Sequence, residues 1–333
     1  MKRDRYMDIL RGILIILVIV GHSIADIERL TIPFNLIYSF HIPLLIFSSG
    51  YIEEDYSEKY LNKRSRMLAM RTSKILIPYF VWVFIDYIRN FGFPIDGRIY
   101  LARLLGYSST GMWFLAVLFG LKCMHFFFWI LKDLIEKKKK AGILLSCGLI
   151  IILEAILLVV ACFSRFPYAI NMLSYAIPYF SGVMIAQDDR IKRMMQSKFL
   201  TIVAIGIYVV GFYHFSFYNT GWITQVLRIG LSECVIVIVM YLKGSFIQTA
   251  GKMEGILAEI GRNSMAIYLL HWPFLDYKAL LAGVSSGFIA GVMSILLSFT
   301  VAIICIVISS FLRKLPYMGQ ILFGDAVVKN DGK

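Results

Sequence analysis

Stretches of nearly uninterrupted apolar residues, most of them close to twenty long, recur along the chain and dictate most of what it can become. They run over about 7–26, 33–51, 75–89, 112–131, 142–163, 169–187, 199–216, 223–242, 264–281 and 287–312. Twenty residues of α-helix rise about 30 Å, the thickness of a bilayer's hydrocarbon core. The runs are continuous rather than alternating, which selects helices over barrel strands. The sequence therefore predicts an all-α, polytopic integral membrane protein with about ten transmembrane helices. Its charge content agrees: 17% of the 333 residues are charged, against about 25% in a soluble domain.

The net charge of +13 invites a nucleic-acid reading until the basic residues are placed. With the N-terminus on the cytoplasmic side, 25 of the 34 lysines and arginines fall on inner segments, six on outer ones, and Arg11, Lys122 and Arg228 lie inside spans. That asymmetry predicts both termini cytoplasmic in a multi-pass protein. The basic excess reports topology, so the bilayer is the expected partner and nucleic acid is not. The run Lys137 to Lys140 belongs to the same signal or touches anionic lipid. All five cysteines, Cys123, Cys147, Cys162, Cys234 and Cys305, fall in spans without CxxC spacing. They read as small packing residues, and no metal is expected. No linker or repeat divides the chain, which suggests one transmembrane domain over 1–316 and a short cytoplasmic tail over 317–333. The basic start, the apolar stretch Gly12 to Gly21 and the triplet Ser23-Ile24-Ala25 also resemble a cleavable leader, but Arg11 interrupts its apolar part.

The chemistry sits on polar residues inside these runs, because an ionisable side chain in a span is costly and marks a functional site by default. In YMDILRGILIILVIVGHSIAD, Arg11 and His22 are eleven residues apart. On a helix that is three turns plus about 20°, so both share one face about 16 Å apart. A neutral imidazole held away from bulk water can take a proton from a hydroxyl near neutral pH. The bland alternatives are a core histidine bonding another helix and an arginine paired with Asp8. In FHIPLLIFSSGY, His41 lies two residues before Pro43, which loosens the helix and exposes a carbonyl. His41 is thus expected to face the same cavity as His22. Further along, Arg71 and Lys74 lie one turn apart in RTSKILIPY, where they suit phosphate clamping or plain positive-inside charge. Trp113 opens the fourth run in GMWFL. Tyr268, His271 and Trp272 cluster in NSMAIYLLHWPF, either as a cavity wall or as a sugar-stacking surface. Glu154, Arg228 and Glu233 are further charges inside spans.

These fragments, in this order along about ten spans, resemble the acyltransferase-3 family of integral membrane acyltransferases, in particular its short fucose 4-O-acetylase-like members without a fused SGNH domain. The resemblance covers nearly the whole chain. It implies transfer of an acyl group, generally acetyl, from cytoplasmic acyl-CoA to a hydroxyl of a cell-envelope or exported carbohydrate. The family's basic-x10-His pattern falls on Arg11 and His22, with His41 as a further catalytic candidate. Its basic pair falls on Arg71 and Lys74, where lysine replaces the usual second arginine and loses bidentate phosphate contact. Arg64 and Arg66 extend that set toward acetyl-CoA, and Trp113, Tyr268 and His271 are the candidate acceptor contacts. The competing reading is a transporter or flippase for a lipid-linked or soluble glycan precursor, whose buried charges line a path without bond formation.

Overall fold

The computed structural model describes residues 4–58, 64–108, 111–136, 143–164, 167–219, 221–246 and 251–325, without the side chains of 55–58, 64–71, 73, 136, 143 and 164. Among these the chain is helical with no strand. The order is α1 (Arg5–Ile24), a 3-10 turn (Glu28–Leu30), α2 (Thr31–Tyr38), α3 (His41–Glu58), α4 (Arg64–Phe91), α5 (Gly97–Leu104), α6 (Trp113–Glu136), α7 (Ile143–Ser164) and α8 (Pro167–Gln187). It continues with α9 (Asp189–Met195), α10 (Lys198–Tyr213), α11 (Trp222–Gly244), α12 (Lys252–Arg262), α13 (Ser264–Leu270), a second 3-10 turn (Trp272–Phe274), α14 (Lys278–Gly283), α15 (Gly287–Leu312) and α16 (Met318–Phe323).

Among the described residues, seven helical segments are long and apolar enough to cross a membrane, the second of them Glu28–Glu54, and α9 and α10 together reach that length and apolarity only as a pair bent by 59°. The chain is a multi-pass membrane protein. Three of the ten expected runs do not appear as simple spans, the run at 199–216 being part of that bent pair. The run at 75–89 is the apolar part of α4, whose first turns carry Arg64, Arg66, Arg71 and Lys74. Its fifteen apolar-run residues rise only about 22 Å. The run at 264–281 is broken into α13, the 3-10 turn and α14. Pro273 has no N–H to continue the α-helical ladder.

The helices form two compact units, Met1–Ile52 with Ser181–Ser309, and Glu53–Phe180 with Ser310–Lys333. In the first, α1 is the central strut. Asp4 caps it by accepting from the Met7 N–H at 3.2 Å, and Asp8 adds negative charge to its first turn. The Tyr6 hydroxyl donates to the Val239 carbonyl at 2.7 Å, and Lys243 pairs with Asp4, so α11 is tied to the start of α1. Near its other end, Ser23 and Ser294 share a hydrogen bond of 2.7 Å that ties α1 to α15. The closest crossing is with α12. There Gly12 faces the Leu257 carbonyl and Gly261 faces the Asp8 carbonyl, so that a Cβ at either glycine would run into the other helix's backbone.

In the second unit α4 packs on α6, and α16 packs on α4. Trp82 donates its indole N–H to the Leu322 carbonyl at 2.9 Å. Pro78 leaves the Lys74 carbonyl without its helical donor. Gly324, at φ +68°, lies against that carbonyl where a Cβ would collide with it. Part of the stretch expected as a tail is therefore a docked helix. Buried Arg103 pairs with Asp86 and stands 5.2 Å from the Phe91 ring centroid. Most of α7 is exposed apolar surface, as befits a lipid-facing helix.

Candidate active site

Helix α1 is unbroken from Arg5 to Ile24, so Arg11 and His22 do share one face, separated by about 16 Å of rise. Both are partly exposed in a helix most of whose other residues are buried. Arg11 sits between Asp8 and Gly12, beside the α12 crossing. His22 lies in the last turn among rings. His271 stacks on it with centroids 5.5 Å apart and 26° between planes, and Trp272 lies 4.6 Å away at 43°.

The broken segment supplies both neighbours. His271 is fully buried, and its Nδ1 lies 2.8 Å from the Tyr268 carbonyl and 3.1 Å from that of Ile267. A carbonyl only accepts, so Nδ1 carries the proton and Nε2 offers a lone pair. That Nε2 is buried with no hydrogen-bond partner among the described residues. Trp272 begins the 3-10 turn and remains 39% exposed, which leaves its indole reachable beside His22. Non-helical backbone is tolerated at membrane depth where protein buries it or where it lines a cavity.

His41 also belongs to this unit. A break at Ser39 and Phe40 separates α2 from α3, placing His41 at the start of α3 and Pro43 in its first turn, where a missing N–H costs no helical bond. The His41 Nδ1 donates to the Ile37 carbonyl at 2.7 Å, which fixes its tautomer, and Tyr38 meets the ring edge-on at 4.7 Å. His22 and Arg228 are its electrostatic neighbours. Two of the three histidines are thus buried and pinned by backbone carbonyls. Of these three, His22 is the one that remains partly exposed. Ser48 and Ser49 both donate to the Leu45 carbonyl, at 2.8 and 3.0 Å, so their hydroxyls are engaged by their own helix.

The remaining candidates lie in the other unit. Trp113 opens α6 and stacks on Tyr175 at 5.7 Å and 25°. Lys74 is half-buried on α4. Arg64, Arg66 and Arg71 belong to α4 as well, and their side chains lie outside the described residues.

That unit also holds a polar cluster that sequence reasoning passed over. Lys122 donates to Glu53 at 2.5 Å. Glu54 accepts at one carboxylate oxygen from Trp129 Nε1, 2.8 Å away, and pairs there with His125 Nε2 at 2.9 Å. The His125 Nδ1 lies 3.1 Å from the Tyr179 hydroxyl. All six residues are buried. The signal was there: Lys122, His125 and Trp129 recur at i, i+3 and i+7 on one face of α6. Glu53 and Glu54, however, lie just beyond the apolar run 33–51, and nothing in the sequence ties them to the run at 112–131. Removing one partner of a buried pair strands the other's charge. Lys122→Met is therefore expected to cost about 3–5 kcal/mol, read as a lower unfolding temperature in detergent, with Glu53→Leu added to it restoring most of the loss. A Lys122→Met protein as stable as wild type would remove the pair from the fold's energetics.

Searches of curated proteins and of solved structures returned no match. A sequence profile described as "Acyltransferase domain" matches residues 4–312, nearly the whole chain and both units. A match of that extent to a many-helix membrane protein settles what fold and motif order had indicated: the chain belongs to the acyltransferase-3 family of membrane acyltransferases.

Proposed function

We propose that the protein is an O-acyltransferase that moves an acyl group, acetyl in the first instance, from cytoplasmic acyl-CoA to a hydroxyl of a cell-envelope or exported carbohydrate. The observation that carries this reading is His22, partly exposed among His271 and Trp272 and on the same helix face as Arg11. The imidazole takes the proton of the acceptor hydroxyl as its oxygen attacks the thioester carbonyl. The new C–O bond forms, the C–S bond breaks, and the departing thiolate recovers the proton from the imidazolium as free CoA thiol. Arg11, about 16 Å of helix rise from His22, contributes a fixed cation for a phosphate of the donor. His41 and buried His271 hold the surroundings of the base rather than touching the acceptor themselves.

Arg71 and Lys74 of α4 are assigned to the CoA phosphates by the family resemblance, Lys74 as a single-point contact, and Arg64 and Arg66 on the same helix extend that basic set. The distribution of lysine and arginine supports both termini inside, and the family resemblance supports the cell membrane. The test uses purified membranes and acetyl-CoA labelled in the acetyl group, with free CoA thiol and labelled glycan followed together. Thiol release matched by label in carbohydrate supports the reading. Intact thioester, with glycan crossing the membrane, would replace it with the transporter.

A further inference from the structure

Exposed and half-exposed side chains from separate segments lie around His22 and the chain that follows α1. Asp26 follows the helix at φ +63°, the left-handed turn that commonly ends a helix and that aspartate tolerates better than most residues. Its carboxylate pairs with Lys278 at 3.0 Å, the first residue of α14, and its backbone N–H donates to the Tyr218 hydroxyl at 3.3 Å. Tyr218 stacks on Phe34 at 5.4 Å and 18°. Arg29 bonds the carbonyls of Leu281 and Ala282 at 2.7 and 2.9 Å, holding the end of α14 against the chain that follows α1. Lys278 is an electrostatic neighbour of His22. Trp272 completes the rim, 4.6 Å from the His22 ring.

We infer that Trp272, Asp26, Tyr218 and Lys278 form the acceptor subsite, and that it takes a pyranose ring. This rests on the acyl-transfer reading and names what that reading leaves open, the groups that hold the acceptor. An exposed indole offers its face to the C–H side of a sugar, while a carboxylate, an ammonium and a phenol supply charged and neutral partners for hydroxyls. A ring laid on Trp272 brings one of its hydroxyls to the edge of His22, within the 2.6–3.2 Å or so that proton transfer needs. A tryptophan serving only as an interface anchor would be replaceable by any aromatic or apolar side chain. It would have no influence on acceptor affinity.

The experiment uses the full chain in lipid nanodiscs, with acetyl-CoA as donor and a panel of methyl pyranosides as acceptor probes. CoA thiol release is followed, and fluorine NMR is recorded on protein carrying fluorotryptophan at its five tryptophans, the Trp272 signal being assigned with Trp272→Phe. At least one pyranoside is expected to shift the Trp272 signal and to stimulate thiol release. Trp272→Ala raises the KM for that pyranoside about tenfold and leaves the KM for acetyl-CoA unchanged. Trp272→Phe retains most of the affinity, and Asp26→Asn weakens it about tenfold through loss of a charged hydrogen bond. Acetyl-CoA turnover with an unmoved pyranoside KM in Trp272→Ala overturns the subsite and spares the reading. A sugar-dependent Trp272 shift without any thioester turnover overturns acyl transfer and spares the subsite. A Trp272 signal indifferent to every pyranoside, with no stimulation of thiol release, overturns the subsite.

Discussion

Replacing His22 with alanine is expected to leave a folded protein whose acyl transfer falls about 10²–10⁴-fold, the range a positioned general base contributes. The side chain is partly exposed, and its surroundings are rings rather than a hydrogen-bonded network. Its loss therefore removes little packing, and unfolding temperature in detergent should move little. Thioester turnover in matched amounts of wild-type and variant membranes gives the rate. Arg11→Ala is expected to act on the KM for acetyl-CoA as well as on rate, because a cation about 16 Å of helix rise away cannot take the hydroxyl proton. His41→Ala is expected to cost stability, since it opens a hole at the α2–α3 break and leaves the Ile37 carbonyl without its imidazole donor. Wild-type turnover in folded His22→Ala would move the base to another residue and end the assignment.

Much of this was legible before any coordinate. Seven of the apolar runs coincide, to within about five residues at either end, with helical segments long and apolar enough to cross a membrane, because hydropathy over twenty positions reports one physical quantity, the free energy of leaving water. Arg11 and His22 share a face because helix periodicity leaves no alternative once α1 is continuous. The breaks were harder. Window hydropathy is blind to whether a run is straight, so 264–281 read as one helix although Pro273 marks where its ladder fails. The short apolar half of α4 looked like a span because its charged half was assigned to a loop. The pairing of Glu54 with His125 and Trp129 was not legible at all. It joins residues more than seventy positions apart, and periodicity carries no information about which helices become neighbours. His271 lay in between: its presence was visible, but its stacking on His22 and the direction of its Nε2 depend on the turn that follows α13.

Gly261→Val is expected to remove most of the folded protein. Gly261 faces the Asp8 carbonyl and Gly12 faces the Leu257 carbonyl, so the obstacle to a side chain at either site is helix backbone. A flexible neighbour could rotate away; a carbonyl in a hydrogen-bonded helix moves only with its helix. Overpacking a core commonly costs about 1–3 kcal/mol and more when nothing can yield. Separating α1 from α12 also uncovers the face of α12 on which Ala258 and Ile260 are buried. The displaced element carries Arg11, one residue from Gly12, so function should fail before folding does in milder variants. Gly261→Ala is the informative case. It should lower the unfolding temperature, and in the surviving folded fraction raise the KM for acetyl-CoA, while His22 and Trp272, three turns away at the other end of α1, keep their acceptor preference. Gly255, on the same helix but with open space where a Cβ would sit, supplies the control, and Gly255→Ala should be neutral or slightly stabilising through helix propensity. Equal tolerance of alanine at 255 and 261 would mean that the α1–α12 crossing is looser than the structure draws it, and that the position of Arg11 is set by something else.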